Sequence, residues 1–420
     1  MRVLVIGSGL LGLTTAFFLS REGVDVTVVD KERGPGLSTS HANGGMLHAS
    51  QANPWNEPGV FWQALRMLGR EDAALLVRFK ALPSLLGWGT GFVRHSKPAR
   101  YLRNFEKNAR LARYSLSMMA TLRGLLGGHY DYAARGTLKL FRTREAVVAA
   151  QALCRQLDEW GIAFEAVDPA RAVALEPALA PIGSELAGGL YFPGDESGDA
   201  HRFCELLAKA CRQQGVSFRF SLPIKRLLRS GSRIEGAVSG KEFLDADAYV
   251  LAAGSFSTLL TTDIGLGLPI RPVKGYSITV PMKGWPERPT MPVIDDFLHA
   301  AVCPLGDRLR VAGTAEFAGF DLKLTPSRID NLFQLLTRLY PGYAPHLQRE
   351  EASRWCGLRP MSVDGVGIMG RTQIPNLFFN TGHGPLGWTM AAGAGRLVAD
   401  EILERPTEID LAPYRADRFA

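Results

Sequence analysis

Three glycines stand in the run Gly7-Ser8-Gly9-Leu10-Leu11-Gly12, and an acid, Asp30, follows eighteen positions after the last of them. Glycine at these spacings suits a phosphate. Gly7 permits a tight turn, Gly9 lacks the Cβ that would hold a pyrophosphate off the backbone, and Gly12 lets a helix pack closely on a strand. The N–H groups at the start of that helix carry partial positive charge and have no partner of their own, which favours an anion. Asp30 sits where a carboxylate accepts hydrogen bonds from a ribose, with Lys31 beside it as a further contact. These residues predict an adenine dinucleotide site.

Two later segments extend it. Thr39-Ser40-His41-Ala42-Asn43-Gly44-Gly45-Met46 combines hydroxyls, an amide and two glycines, so several backbone N–H groups can converge on a planar ring rich in oxygen and nitrogen. We expect contacts from Ser40, Asn43, Gly44, Gly45 and Met46. Gly382-His383-Gly384-Pro385-Leu386-Gly387-Trp388-Thr389 precedes a helix, whose N-terminus would stabilise negative charge on a reduced flavin. His383, wedged between glycines, is expected to supply shape and a hydrogen bond, with Gly382, Gly384, Leu386, Gly387, Trp388 and Thr389 as neighbouring contacts. Ile224 and the strand-to-helix turn at Ala253 and Gly254 complete the expected cofactor wall.

Arg359 lies in the apolar, proline-stiffened run Trp355-Cys356-Gly357-Leu358-Arg359-Pro360. Buried arginine is rare unless paired, and its planar fork suits bidentate capture of a carboxylate. A structural salt bridge explains the spacing equally well, and Arg310 is the next candidate. Tyr276, in Lys274-Gly275-Tyr276-Ser277, falls on a strand that can face a cleft or pack in a core. No cysteine or histidine spacing suggests a metal, and no Ser-His-Asp arrangement emerges.

The elements that must position these residues can be read from periodicity. A β run over 3–6, a helix to Arg21 and a second β run over 26–29 enclose the glycines. Strands are expected at 136–141, 216–220, 223–228, 248–252, 270–280, 297–303 and 307–315, with helices over 144–159 and from an N-cap at Asp199 to a stop at Gly215. Gly365 to Gly370 repeats the glycine spacing, but Pro375 forbids a helix behind it, so we read a turn or bulge. Dinucleotide-type pieces therefore occupy the start, middle and end of the chain. The expectation is a Rossmann-like domain of 1–80, 160–265 and 355–420, interleaved with an α+β substrate domain of 81–159 and 266–354 on a mainly antiparallel sheet. Residues 55–93 are rich in Trp, Leu and Phe with Arg and Lys interspersed; core-facing helix is the favoured reading, an interfacial surface the alternative.

At 420 residues the chain can hold two sizeable cores, and 46% hydrophobic with 21% charged residues excludes wholesale disorder. The net charge of +7 is scattered, which argues against nucleic-acid binding while leaving attraction to an anionic surface or a carboxylate substrate open. Five unpaired-looking cysteines, an N-terminal strand and the lack of a long apolar stretch suit a cytoplasmic protein with reduced thiols.

The chain resembles the D-amino acid dehydrogenase small-subunit family, within the D-amino acid oxidase and glycine oxidase class of flavoproteins. The likeness runs nearly end to end: VIGSGLLG with VTVVD, the STSHANGG loop, GTLKLFRT, GGLYFPGDESGDAHRF, ADAYVLAAGSFST, PVKGYSITVP, GLRPMSVDG and NTGHGPLGWTMAAGAGR. It implies non-covalent FAD and oxidation of a D-amino acid, with hydride passing from Cα to flavin N5. The imino acid then hydrolyses to a 2-oxo acid and ammonia. Electrons would go to a quinone or another non-oxygen acceptor, through peripheral contact with the cytoplasmic face of the inner membrane. By position, Arg359 matches the arginine that holds the substrate carboxylate in the wider class, and Tyr276 lies in the strand of its tyrosine partner. HANGGMLHASQ departs from the ANAGQ-type sequence of the dehydrogenases, which bears on substrate range. The alternatives are a dehydrogenase or oxidase of cyclic imino acids such as D-proline or hydroxyproline isomers, or of other secondary amines, and more remotely a flavoprotein acting on modified RNA.

Overall fold

The computed structural model describes residues 1–62, 71 and 73–419. The chain opens with the strand Arg2–Ile6, the helix Leu10–Arg21 and the strand Asp25–Val29, and the two strands pair in parallel, Val3 beside Val26 and Val5 beside Val28. They sit in a six-stranded sheet in the order Ile368–Arg371, Leu377–Thr381, Ala248–Leu251, Arg2–Ile6, Asp25–Val29, Ser217–Arg219. All neighbours run parallel except the edge strand Ile368–Arg371. Alternation divides the side chains. Val3 and Val5 join the core formed with the helices Leu10–Arg21, Ala200–Gln213 and Gly387–Ile402. Leu4 and Ile6 meet Leu227, Ile234 and Ala237 of a small antiparallel sheet on the other face. Burial on both faces is why these strands read as nearly continuous apolar runs.

The second, nine-stranded sheet is mainly antiparallel. Its long strand Ile270–Pro281 pairs with Ser353–Ser362 on one side and Arg308–Phe317 on the other. The helix Pro326–Leu339 covers one face through Ile329, Leu332, Phe333 and Leu336. The mixed parallel and antiparallel α/β architecture is the one expected.

Two expectations change. Strands Glu165–Val167 and Gly188–Phe192, grouped above with the cofactor segments, hydrogen-bond into the larger sheet beside Thr137–Phe141. The helix Pro98–Leu126, grouped with the substrate segments, serves both sides. Leu111, Met119 and Leu122 join the first core, while Tyr101, Phe105 and Ala112 pack with Leu190 and Phe192. Ser115 Oγ also accepts the N–H of Gly393, whose missing Cβ allows the helices to touch. Of the aromatic segment, residues 63–70 and 72 lie outside the described residues; in the described part the helix Leu82–His95 turns Leu85, Trp88 and Phe92 to a small core with Val273, Phe317 and Met361 and leaves its other side exposed. In the helix Leu82–His95 the one buried residue is Trp88, whose indole donates to the Pro269 carbonyl at 3.1 Å; Leu82, Leu86 and Val93 are exposed. The second glycine run behaves as read, with Gly365 in a turn and Gly370 in an edge strand.

One buried acid makes stability depend on pH. Asp195 accepts hydrogen bonds from Ser50 Oγ at 2.5 Å and Ser50 N at 3.3 Å, and burial pushes its carboxyl up to about 7 against their opposing effect. The folded pKa lies above the unfolded one, so its contribution is complete below about pH 4 and lost as pH rises through 7. The slope is at most about 1.4 kcal/mol per pH unit. Asp195→Asn keeps an acceptor for Ser50 and cannot ionise. Wild type should therefore lose stability relative to this variant between pH 5 and 7, checked by thermal melts across that range.

Candidate active site

A cavity of about 890 Å³ opens where the carboxyl ends of the parallel strands face the larger sheet. One end is the glycine turn. Gly7 has φ +114°, and a Cβ there would lie 2.5 Å from the Ala252 carbonyl oxygen. At Gly12 a Cβ would lie 1.9 Å from the Gly7 carbonyl oxygen, so this glycine is a packing requirement and does not border the cavity. Gly9 differs: a Cβ there meets only Ser40 Oγ, at 3.2 Å. Gly9 cannot cap the helix behind it, and only Ser40 reaches in, accepting the Leu10 N–H at 3.3 Å.

Gly7, Gly9, Leu10, Asp30, Lys31, Ser40, Asn43, Gly44, Met46, Ile224, Ala253, Gly254, His383, Gly384, Leu386, Gly387 and Trp388 all border this cavity, although they come from distant parts of the chain. Gly45, Gly382 and Thr389 stand behind the wall. Gly45 and Gly382 adopt positive φ in turns packed by Leu305 and Ile368, and Thr389 Oγ1 accepts the His48 N–H at 3.1 Å. Asp30 is already engaged, accepting Ser8 N at 2.5 Å, Ser8 Oγ at 2.7 Å and Glu32 N at 2.9 Å. A ribose hydroxyl would use its remaining lone pair or replace the Ser8 hydroxyl. His383 is 2% exposed with both ring nitrogens unpartnered among the described residues, and burial holds its pKa down to about 3. An elongated cavity, an uncapped helix start, a Cβ-free approach and orphaned ring nitrogens together fit a flavin dinucleotide.

The other end is Arg359. On the strand Ser353–Ser362 its register partner is Val273, and its guanidinium lies over Gly275, where a Cβ would come within 2.5 Å. It sits 5.3 Å from the Trp55 ring and donates one long bond, 3.4 Å, to the Thr314 carbonyl. No carboxylate pairs with it among the described residues, and desolvation lowers its pKa to about 10. Arg310 has the opposite environment. It is buried against Asp199 at 3.4 Å, donates to Thr279 at 3.0 Å and holds the Asn43 carbonyl, which removes it as a substrate ligand.

Tyr276 is a correction. It touches the cavity wall, but its hydroxyl is shared with Glu316 at 2.7 Å and Thr325 at 2.9 Å, within the core beneath Pro326–Leu339. Gly275 takes the Arg359 face of the strand, so the next residue takes the other. Sequence reasoning also missed wall residues. Trp55 was visible only as part of an apolar segment. Half-buried His48, held down to about 4 by desolvation, belongs to no motif, and Thr314 carries no local signal at all.

Cofactor cavity and fold define a flavin-dependent oxidoreductase, and the comparisons agree. The chain belongs to the family of FAD dependent oxidoreductases, which it matches over residues 2–401. It is 43% identical over 424 residues to the D-amino acid dehydrogenase of Methylobacterium sp. (strain 4-46), covering all of both chains. To that of Bradyrhizobium diazoefficiens it is 41% identical over 420 residues, covering 100% of this chain and 99% of the relative. In fold it is similar to glycine oxidase from Geobacillus kaustophilus (TM-score 0.78, 23% identity, 99% and 98% covered). L-proline dehydrogenase from P. horikoshii is also similar (TM-score 0.77, 19% identity, 100% and 97% covered).

The glycines separate two effects of one kind of substitution. Gly9→Val should fold and melt normally yet purify without FAD, because its side chain meets ligand space. Gly12→Val should fail to fold, because it meets backbone. Flavin absorbance per mole of protein and a thermal melt check both; a yellow, fully loaded Gly9→Val protein contradicts the assignment.

Proposed function

We propose that this protein is an FAD-dependent dehydrogenase that oxidises D-amino acids to imino acids, which hydrolyse to 2-oxo acids and ammonia. The observation that carries the reading is Arg359, a half-buried, desolvated guanidinium without a carboxylate partner among the described residues, in the wall of a flavin-type cavity. A buried cation is stabilised by an arriving anion, and the fork is satisfied by two carboxylate oxygens. The 41–43% identity to proteins named D-amino acid dehydrogenase supports the substrate class and its handedness.

FAD, when bound, supplies the acceptor for the two electrons of the substrate Cα–H bond. Gly7, Gly9, Ser40, Asn43, Gly44, Met46, Gly254, His383 and Gly387 hold it. Arg359 fixes the carboxylate, with Trp55 flanking the guanidinium, and so limits which face of Cα is presented to the opposite wall. Positioning is the main contribution of these residues.

Arg359→Lys keeps charge and loses the fork, and should raise KM for D-amino acids substantially. Arg359→Ala should cost several kcal/mol in kcat/KM, at about 1.5–3 kcal/mol for each charged hydrogen bond. Flavin content should stay near wild type in both. Anaerobic bleaching of the flavin by a panel of D- and L-amino acids, D-proline included, tests the substrate class directly. Normal turnover by Arg359→Ala sinks the carboxylate assignment.

For the acceptor we propose a quinone, met at the cytoplasmic face of a membrane. Phe79, Leu86 and Trp62 are 78%, 72% and 66% exposed, near Lys80 and Arg94, a composition suited to an anionic interface. No helix among the described residues is long and apolar enough to cross a membrane. Quinones and dyes should support much faster turnover than air, and binding to anionic liposomes should weaken as salt rises. Rapid peroxide formation with no liposome binding would indicate an oxidase instead.

A further inference from the structure

The wall beside Arg359 contains a backbone outlier. Gly275 lies opposite Ala315 and Tyr276 opposite Gly313, so Thr314 is an extra residue, a β-bulge in Arg308–Phe317. Its φ is +59°, a left-handed conformation that a β-branched side chain strongly resists and that Gly or Asn adopts readily. Bulges re-aim side chains next to active sites, and strain of this kind persists where the surroundings enforce it. Thr314 borders the cavity, its carbonyl accepts the Arg359 bond, and its Oγ1 is buried without any partner among the described residues. A buried hydroxyl left unpaired is costly, and this one belongs to the residue whose carbonyl takes the single bond of an equally unsatisfied guanidinium.

We infer that Thr314 is a substrate-binding residue: turned about its Cα–Cβ bond from the covered position it holds here, its hydroxyl donates to the carboxylate that the Arg359 fork grips, so that the anion has three donors. The bulge is what places Thr314 there: Gly313, Thr314 and Ala315 lie opposite the Gly275–Tyr276 step, one residue more than a regular ladder holds. The inference rests on the amino-acid reading above and adds a specificity determinant to it.

The test pairs Thr314→Gly with Thr314→Ser in the FAD-loaded enzyme. Glycine relieves the backbone strain and removes the hydroxyl; serine keeps the hydroxyl. Thr314→Gly should melt at or above the wild-type temperature and retain FAD. Its KM for the best D-amino acid, and its Kd for a simple aromatic carboxylate read from the flavin spectrum, should both rise about tenfold or more. The change in kcat should be smaller. Thr314→Ser should stay within about threefold of wild type in both constants. Unchanged KM and Kd in Thr314→Gly overturn the inference while leaving the Arg359 reading intact. Equal impairment in Thr314→Ser also overturns it, because packing of the methyl would then be responsible. If wild type binds no carboxylate and oxidises amines lacking one equally well, the amino-acid reading fails and this inference with it.

Discussion

A guanidinium without a counter-ion in the wall of the cavity is the constraint around which the rest is arranged. Desolvating an ion costs several kcal/mol, and Arg359 recovers little of it from one long bond to Thr314 and the face of Trp55. Such a group would turn toward water or a nearby acid unless the scaffold were rigid. Its strand is pinned at the adjacent residue: the Leu358 carbonyl accepts Thr39 Oγ1 at 2.9 Å and Ser255 Oγ at 3.2 Å. Those hydroxyls come from the cofactor loop and from the turn that contains Gly254. The residues that border the flavin-type end of the cavity therefore also hold the arginine-bearing strand in place.

The same stitching operates on the loop 38–46. Ser277 Oγ donates to the Ala42 carbonyl at 2.7 Å, and Arg310 reaches the Asn43 carbonyl while paired with Asp199, the N-cap of Ala200–Gln213. The two arginines thus divide the work by their partners. Arg310, neutralised by a carboxylate, is a structural tie between the two sheets. Arg359, left without one, has its charge available to a ligand. Residue type alone could not make that distinction.

What was legible in the chain was whatever depends on local sequence. Gly7, Gly9, Gly12 and Asp30 have meaning at fixed spacing, and Asp199 and Gly215 mark the ends of a helix by their own chemistry. Arg359 stood out because an arginine in an apolar strand demands a partner. Tyr276 did not follow, because alternation places neighbours on opposite faces and the sequence does not say which face meets the cavity. Residues 98–126 fell to one side through the domain bounds alone, because which of two cores each face of a helix meets is set by tertiary packing. Thr314 was beyond reach: a bulge arises from the register between strands about 40 residues apart, which no local pattern encodes.

That register also explains why the strain is where it is. Ile270–Pro281 pairs without interruption against Ser353–Ser362, from Ile270 beside Ser362 to Thr279 beside Ser353, so the side that carries Arg359 cannot absorb an extra residue. The irregularity is forced onto the other partner, Arg308–Phe317. There a second non-glycine residue with positive φ, His299, lies in the adjoining turn and borders the same cavity. Gly313 lies between them, and a Cβ on it would come within 3.3 Å of the His299 carbonyl oxygen. Turn and bulge are packed against each other, and relaxing one would push on the other. The sheet thus keeps ordinary alternation where it only has to be a scaffold and departs from it beside Arg359, at the residue whose carbonyl meets the guanidinium.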